Sequence, residues 1–589
     1  MTELLSRRDL DFLLFDWLDV VSLCDRPRFA DHSRATFTDV LDLSAQLAAE
    51  QFAPHYRQSD AAEPVLEDGR VRMHPGVRAA IDAFGKAGLI GAGMDHEVGG
   101  FQLPAVVTSA CFAWFQAANA GTAAYPFLTV ANANLLRAHG TAEQVETFVS
   151  PMVEGRWLGT MCLSEPQAGS SLADITTRAD PEPDGAYRLT GTKMWISGGE
   201  HDLTENIVHL VLARIAGAPG GVRGISLFIV PKVLPAGEHN DVVLAGLNHK
   251  MGYRGTVNTV LNFGEGAHRP GGRAGAVGYL VGEPHRGLDY MFHMMNEARI
   301  GVGAGATALG YRAHLASVDY ARSRPQGRPR GSRSGPQVPI IEHADVRRML
   351  LAQKSYVEGA LALVLYCARL VDEVNTGPDE RRRADAQLLL DLLTPIAKSW
   401  PSQWCLTACD LAIQIHGGYG YTRDYDVEQL YRDNRLNPIH EGTHGIQGLD
   451  LLGRKVPGAG GRSLRLLLEA IGCTATAARS RGGEPAEHAE HLQAAADLLA
   501  VTVADLYAVG DIDVTLANST LFLEAAGHVV VAWMWLEQSL AAPGQEAFHA
   551  GKRTAARYFF RYELPKAQQQ LGFLRTCDTT TLDMQPGWF

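Results

Sequence analysis

The chain has 589 residues, enough for about four domains of ordinary size. It carries 53 Lys and Arg against 65 Asp and Glu, and the net charge of −12 argues against a general nucleic-acid binder. Hydrophobic residues make up 46% and charged residues 20%, which excludes a disordered or collagen-like chain.

The cysteines and the apolar stretches indicate the compartment. The eight cysteines are scattered and form no C-x-x-C pair, which is typical of reduced thiols that pack inside a cytoplasmic protein. The N-terminus places charged residues before any apolar run and does not resemble a signal peptide. The apolar stretch 525–536 contains His528 and is too short to cross a bilayer, so we expect no membrane span.

Two zones with different periodicity occupy the first half of the chain. Residues 1–155 contain helix-like stretches at 37–52, 77–87 and 106–117. Residues 156–285 instead contain short apolar runs separated by Gly, Pro and Asp, and these predict an antiparallel sheet or barrel. The runs are 157–163, 187–190, 207–213, 225–230, 242–247 and 256–263.

The second half of the chain returns to helix. Apolar residues from Val346 to Val371 recur at helical steps and predict one face of a long helix, while Pro395 and Pro401 predict a boundary or kinks in the next one. A glycine-rich hinge then leads to helices around 487–507, 513–540 and 545–563. The whole pattern predicts a mostly α, α+β fold with four domains: an N-terminal helical domain (1–155), a middle antiparallel β-barrel-like domain (156–285), a helical domain (286–455) and an extra C-terminal helical domain (456–589).

One compositionally biased segment, 322–335, interrupts the third zone. Its arginines are Arg322, Arg324, Arg328, Arg330 and Arg333. A solvated loop explains such a run, and a loop that contacts phosphate is the alternative.

The segment His440-Glu441-Gly442-Thr443-His444 matches the zinc-protease pattern H-E-x-x-H. That chemistry needs both histidines on one face of a helix, with the glutamate as base. Pro438, Gly442 and Gly445 disfavour such a helix, each glycine by about 1 kcal/mol, and no third ligand is evident. The structural alternative is that Thr443 or His444 begins the next helix.

Other motifs are weaker taken singly. Gly303-x-Gly305-x-x-Ala308 resembles a dinucleotide-binding fingerprint but lacks the preceding strand, so close helix packing explains it better. Gly417-Gly418-Tyr419-Gly420 follows a helical stretch and is typical of a helix C-cap, although backbone lying against a cofactor would need the same lack of Cβ. Trp195 lies in a strand-like stretch, 193–197, and is typical of a core residue.

Five segments are specific when their order is considered. They are Met161-Cys162-Leu163-Ser164-Glu165-Pro166-Gln167-Ala168-Gly169-Ser170-Ser171, Gly191-Thr192-Lys193-Met194-Trp195-Ile196-Ser197-Gly198-Gly199, Gln414-Ile415-His416-Gly417-Gly418-Tyr419-Gly420, Tyr431-Arg432-Asp433 and Ile439-His440-Glu441-Gly442-Thr443. From residue 40 to residue 455 the chain resembles the acyl-CoA dehydrogenase family. The extended ends are similar to its larger branch, which includes 3-methylmercaptopropionyl-CoA and long-chain fatty acyl-CoA dehydrogenases. The resemblance implies an N-terminal helical domain, a middle β-barrel-like domain and a C-terminal four-helix bundle, in the same order as the zones.

The resemblance implies FAD as the cofactor. It places cofactor contacts at Met161, Leu163, Ser164, Gly169, Ser170, Trp195, Ile196, Ser197 and Thr443. It also implies that a neighbouring subunit completes the site through Arg324, Gln414, Gly417 and Gly418. A site shared between chains predicts a homodimer or a dimer of dimers.

The resemblance implies α,β-dehydrogenation of an acyl-CoA substrate to the trans-2-enoyl-CoA. Glu441 would remove the α-proton, the β-hydride would pass to flavin N5, and an electron-transfer flavoprotein would receive the electrons. Burial would raise the pKa of Glu441, and the flexible backbone of Gly442 would help to place its carboxylate. The expected substrate contacts are Ser170, Asn296, Arg299 and Gly442.

Two other functions stay open at this point. An acyl-CoA oxidase would use the same glutamate and flavin but would be reoxidised by O₂. A non-catalytic flavin-binding or nucleic-acid-binding relative is suggested only by the arginine-rich segment.

Overall fold

The computed structural model describes residues 3–331 and 334–589, which form two compact units. The helical unit contains Met1–Phe37, Pro104–Ala113 and Arg299–Phe589, and the sheet unit contains Thr38–Leu103 and Trp114–Ala298. Arg333 lies outside the described residues.

Helices account for most of the described chain. They are α1 (Arg7–Asp11), α2 (Arg34–Leu47), α3 (Tyr56–Ala61), α4 (Pro75–Lys86), α5 (Ala105–His139), α6 (Ala142–Gln144), α7 (Ser150–Val153), α8 (Gly287–Ser323), α9 (Ala344–Thr376), α10 (Glu380–His416), α11 (Val427–Asn434), α12 (His444–Asp450), α13 (Gly458–Arg481), α14 (Gly483–Ala508), α15 (Ile512–Leu516), α16 (Ser519–Ala541), α17 (Ala547–Tyr558), α18 (Leu564–Leu574) and α19 (Thr580–Asp583). The helical stretches predicted in the first, third and fourth zones are confirmed, including the long helix α9.

The strands lie between residues 65 and 280. They are β1 (Val65–Glu67), β2 (Arg70–Arg72), β3 (Trp157–Cys162), β4 (Arg178–Pro181), β5 (Tyr187–Ser197), β6 (Asn206–Ile215), β7 (Ile225–Pro231), β8 (Val242–Leu247), β9 (Asn258–Phe263) and β10 (Ala276–Leu280). The six predicted runs correspond to β3 and β5 to β9. The sequence pattern missed β4, which is charged and ends in proline, and β10, which contains a glycine.

The larger sheet closes on itself and forms the predicted barrel-like layer. Its strand order is β10-β7-β6-β4-β5-β9-β8, and an extra pairing of β10 with β5 completes a ring. Most pairs are antiparallel, but β3 and β4 both pair with β6 in parallel, which the sequence did not predict. Strand β6 is buried at every position from 206 to 213, because other strands pair with it along both of its edges.

Neither proline of α10 ends the helix, so the predicted boundary is wrong. Pro395 and Pro401 are buried inside one helix that runs from Glu380 to His416. Each lacks the N–H that would bond to the carbonyl four residues earlier. The neighbouring Thr394 and Ser402 hydroxyls donate to the carbonyls of Leu390 and Lys398, one turn back, at 2.7 and 2.5 Å. Burial against the surrounding helices therefore outweighs the local helix-breaking tendency.

Gly303 lets α8 approach α10 very closely. A Cβ at this position would lie 1.9 Å from the carbonyl oxygen of Ala397, the oxygen that the missing N–H of Pro401 would otherwise have bonded. The Gly303-x-Gly305 motif lies within α8 and not between a strand and a helix. Close helix packing, and not dinucleotide binding, therefore explains the motif, as predicted.

Lys552 ties three distant segments of the helical unit together. Its buried ammonium contacts the carboxylates of Asp9 in α1 and Glu358 in α9, the latter at 3.0 Å. The Tyr311 hydroxyl also donates to Asp9, at 2.9 Å. Charges this deep persist only when they are paired. The C-terminal helices therefore share one core with the N-terminus and with α9.

Among the described residues one helix, α16, is long and apolar enough to cross a membrane. It has 23 residues, but 83% of its most apolar window is buried inside the structure. It also carries the fully buried polar side chains of His528 and Gln538. The helix therefore has the properties of a core helix, although it is longer than the apolar stretch 525–536 that was expected to be too short to cross a bilayer. All eight cysteines are free thiols.

Gly303→Ala should destabilise the protein, because the new methyl group would overlap the carbonyl oxygen of Ala397 at the contact between α8 and α10. Overpacking of this kind costs about 1–3 kcal/mol, and we expect a lower midpoint of thermal unfolding. Gly472→Ala in α13 is the matched control, since a Cβ there meets nothing within 4 Å. An equal midpoint for both variants would contradict the close approach.

Candidate functional site

Glu441 lies on a left-handed turn between α11 and α12. Its φ is 54° and that of Gly442 is 89°, and a left-handed conformation costs a non-glycine residue about 1–2 kcal/mol. Two side chains fasten this turn through its carbonyls. The Gln447 amide donates to the carbonyl of Glu441 at 2.9 Å, and the Lys398 ammonium donates to that of Gly442 at 2.6 Å. The strained backbone is therefore held by contacts that reach it from α12 and α10.

Thr443 begins α12 and thereby decides between the two interpretations of the H-E-x-x-H segment. Its hydroxyl accepts the N–H of Ile446, and the helix starts at His444, so His440 lies outside it. The two histidines have separate partners, Asn437 and Ser399, each at 3.0 Å. No group of metal-ligating side chains occurs within 3–331 and 334–589. The helix-start alternative is confirmed, and the geometry needed for zinc hydrolysis is absent from these residues.

The surroundings of Glu441 favour a weaker acid than usual. Burial raises the pKa of the half-buried Glu441 carboxyl, while the charges of Arg299 and Lys398 oppose that rise. Arg299 is itself buried in an ion pair with Asp450, at 3.0 Å. The predicted role of Arg299 as a substrate contact stays a prediction. Asn296, one turn earlier on α8, is half-buried.

Arg324, Gly417 and Gly418 line one open pocket of about 490 Å³ in the helical unit. The guanidinium of Arg324 lies 5.5 Å from the ring centre of Tyr419, which also lines the pocket. Gly417 ends α10 with a φ of 62°, so the predicted C-cap is confirmed. Gln414 is exposed on α10 and is not among the lining residues.

The arginine-rich segment is largely solvated. Arg322 is exposed in the last turn of α8, and Arg328 and Arg330 are exposed on the loop that follows, where Arg328 donates to the carbonyl of Gly335 at 2.9 Å. Among the described arginines of this segment, Arg324 lines the pocket.

In the sheet unit, the end of β3 presents alternating side chains. Met161, Leu163 and Ser164 are half-buried, whereas Cys162 between them is fully buried in the barrel core. Gly169 and Ser170 follow on an exposed loop. These positions leave side chains and backbone of this segment accessible to a ligand.

Trp195 lies on a bulge in β5 and is 57% exposed, so its assignment to the core is wrong. The pairing of β5 with β9 shifts register between Lys193 and Ile196, and the bulged Trp195 takes a φ of 65°. The bulge turns the indole outward. The side chain of Ile196 is instead buried in the barrel core, so only its backbone could contact a ligand. Ser197 accepts a hydrogen bond from Asn258 at 3.2 Å.

A buried ion pair joins the first two of the five motif segments, 161–171 and 191–199, and its role was not predicted from the sequence. The ammonium of Lys193 lies 2.9 Å from Glu165 and also donates to the carbonyl of Leu163 at 3.0 Å. Burial alone would raise the pKa of Glu165, but Lys193 and the hydroxyl of Thr177 outweigh it and hold the pKa at about 2. The pair therefore fixes the end of β3 against β5. A lysine followed by Met194 and Trp195 in a strand-like stretch was the available signal.

Lys398 is the second residue that the sequence analysis missed. It lies in the stretch 394–400 of α10, in which every residue is buried, and its own side chain is fully buried. A charged residue at such a position is rarely buried without a specific partner, and that was the signal in the sequence.

Comparisons with known proteins agree with this architecture. Acyl-CoA dehydrogenase models match in order: the N-terminal domain at 38–156, the middle domain at 160–265 and the C-terminal domain at 285–455. A further model, described as acetyl-CoA dehydrogenase C-terminal like, matches 467–585. The chain belongs to the acyl-CoA dehydrogenase family, and it is an oxidoreductase that acts on acyl-CoA.

Particular relatives extend the comparison. The chain is 39% identical to 3-methylmercaptopropionyl-CoA dehydrogenase of Ruegeria pomeroyi, over 86% of both proteins. It is 31% identical to a broad-specificity linear acyl-CoA dehydrogenase of Mycobacterium tuberculosis, over 99% of both. The crystal structure of an acyl-CoA dehydrogenase from Bacillus anthracis, complexed with FAD, has a TM-score of 0.74 at 21% identity and covers 96% of this chain and 91% of its own. That structural likeness concerns the fold.

Lys193→Met should destabilise the protein strongly, because Glu165 stays buried without its cation. Breaking a buried pair in this way costs about 3–5 kcal/mol, measured as the free energy of unfolding in urea. Arg178→Met is the control in the neighbouring strand β4, since its pair with Asp180 is exposed and should contribute less than about 1 kcal/mol. Similar losses in the two variants would show that the buried pair has no special role.

Proposed function

We propose that the protein oxidises an acyl-CoA thioester to the trans-2-enoyl-CoA with bound FAD, and that Glu441 is the catalytic base. The observation that carries this proposal is the Glu441 carboxyl itself. It is held on a fastened left-handed turn, and burial raises its pKa toward the range that suits a general base. His440 and His444 are poorer candidates, because burial lowers their pKa values to about 3 and about 4.

Each unit, taken by itself, has residues that suit part of a flavin cofactor. In the sheet unit, the exposed indole of Trp195 and the half-buried Met161 and Leu163 offer apolar contacts for an aromatic ring. In the helical unit, Arg324 offers a cation to phosphate, beside Gly417, whose backbone no Cβ shields. When bound, FAD supplies the acceptor for the hydride that leaves the β-carbon.

The chain's own contribution is the removal of the α-proton. The α-carbon of a thioester is a weak acid, so the base must be oriented and the developing enolate must be stabilised. We infer that the carboxylate of Glu441 takes the proton and that its backbone N–H donates to the thioester oxygen. Gly442 follows at a φ of 89°, which few side chains tolerate, and this conformation sets the direction of both groups.

The pocket around Arg324 supports a second part of the proposal, that two copies of the chain share each cofactor site. The pocket is open, and Tyr419 and Tyr421 beside it are exposed by 47% and 88%. Such exposed aromatic rings suit an interface between copies. We therefore propose a homodimer, or a dimer of dimers, that donates electrons to an electron-transfer flavoprotein.

Glu441→Gln should keep FAD and bind acyl-CoA but fail to reduce the flavin, because an amide cannot accept the α-proton. Anaerobic stopped-flow mixing with acyl-CoA thioesters of graded length, followed at the flavin absorbance band, measures the reduction. Glu143→Gln on the exposed first turn of α6 is the control and should reduce at the wild-type rate. Unchanged reduction in Glu441→Gln would place the base elsewhere.

The terminal acceptor can be determined with the same reduced enzyme. For a dehydrogenase we expect slow reoxidation in air-saturated buffer and fast reoxidation by an electron-transfer flavoprotein or a dye acceptor. Reoxidation in air as fast as with the external acceptor would identify an acyl-CoA oxidase instead.

A further inference from the structure

Lys398 occupies an unusual position for a lysine. Its side chain is fully buried in α10, and its ammonium donates to the carbonyl of Gly442 at 2.6 Å. The helix is held at this level by the close approach of Gly303 to the neighbouring residue Ala397. The ammonium is therefore delivered to the turn from a rigid element.

We propose that Lys398 is a positioning residue for the catalytic base. It fastens the turn that carries Glu441 and places beside the carboxylate a positive charge that depends on pH. This inference rests on the proposed function of Glu441.

The burial of Lys398 and the charged groups around it determine its pKa. Burial lowers the pKa of Lys398 to about 7, the carboxylate of Glu441 raises it, and the guanidinium of Arg299 lowers it. Arg299 is in turn paired with Asp450 on α12. The residues that carry these charges come from α8, α10, α12 and the Glu441 turn, and each of these residues lies in the helical unit.

The two histidines beside the turn do not take over this role. Burial, with a contribution from the charge of Lys398, lowers the pKa of His440 to about 3. The same two causes, in the same order, lower that of His444 to about 4. Both are neutral near pH 7, so Lys398 is the group of this cluster that changes its charge there.

The protonation of Lys398 therefore affects the ionisation of Glu441. As the pH falls through 7, Lys398 gains a proton, and its new positive charge lowers the pKa of Glu441. The base then stays ionised to a lower pH than burial alone would allow. Removal of this charge should therefore narrow the active range on its acidic side.

The test compares the pH dependence of flavin reduction in three variants of the holoenzyme. Lys398→Met removes both donor and charge, Lys398→Gln keeps an N–H donor without charge, and Lys86→Met removes an exposed lysine as control. We expect Lys398→Met to reduce flavin at least about tenfold more slowly and to move the acidic limb upward by at least about 0.5 pH unit. Lys398→Gln should recover most of the rate but keep the shifted limb. Rates within twofold of wild type and an unshifted limb in Lys398→Met would overturn the proposal.

A second measurement on the purified proteins does not depend on turnover. Amide hydrogen exchange over residues 441–443 should be faster in Lys398→Met than in wild type and close to wild type in Lys398→Gln. Unchanged exchange in Lys398→Met would overturn the fastening role. If wild-type protein reduces no flavin with any acyl-CoA, the proposed function itself fails, whereas normal wild-type reduction with unaltered variants rejects only the role of Lys398.

Discussion

A carboxylate becomes a stronger base when it is partly removed from water, and the proposed activity depends on how Glu441 is both buried and held in place. Burial raises the pKa of Glu441 but does not by itself orient the carboxyl group. Here two consecutive left-handed residues, 441 and 442, aim the group, and hydrogen bonds from Lys398 and Gln447 hold the two carbonyls of the turn. The positive charges of Lys398 and Arg299 oppose the effect of burial on the pKa of Glu441. Geometry and ionisation are thus controlled by the same few contacts.

Each unit contains a buried lysine that donates a hydrogen bond to a backbone carbonyl. In the sheet unit, buried Lys193 donates to the carbonyl of Leu163, and in the helical unit buried Lys398 donates to the carbonyl of Gly442. In both units a lysine on a regular element holds an irregular segment that carries expected site residues. The cations are compensated differently, because Lys193 has the full charge of Glu165 at 2.9 Å, whereas Lys398 has a backbone oxygen at 2.6 Å. Lys193 is therefore suited to a permanent ion pair, and Lys398 to a charge that changes with pH.

Sequence alone predicted the order of domains and the long helices, since regular apolar spacing such as that from Val346 to Val371 reports one buried face. It failed where tertiary contacts override local tendencies. Pro395 and Pro401 remain inside α10 because the helix is buried, and Trp195 is exposed because pairing with β9 forces a bulge. The resemblance led to Glu441 but not to the lysines that support the site. Their carbonyl partners lie 44 and 30 positions away in the chain, and no local pattern marks such a contact.

The buried ion pairs of Lys552 affect whether the C-terminal helices of such a protein can be removed. Removing the last helices would take away the ammonium that contacts both Asp9 and Glu358. Glu358 would keep its contact with Lys354, but the buried Asp9 would lose the ammonium that pairs with it. A cut before α17 would therefore damage both the beginning and the middle of the protein. A smaller engineered version would first have to replace these acids with apolar side chains of similar volume. The C-terminal extension is therefore part of the core of the helical unit and cannot be removed as a separate domain.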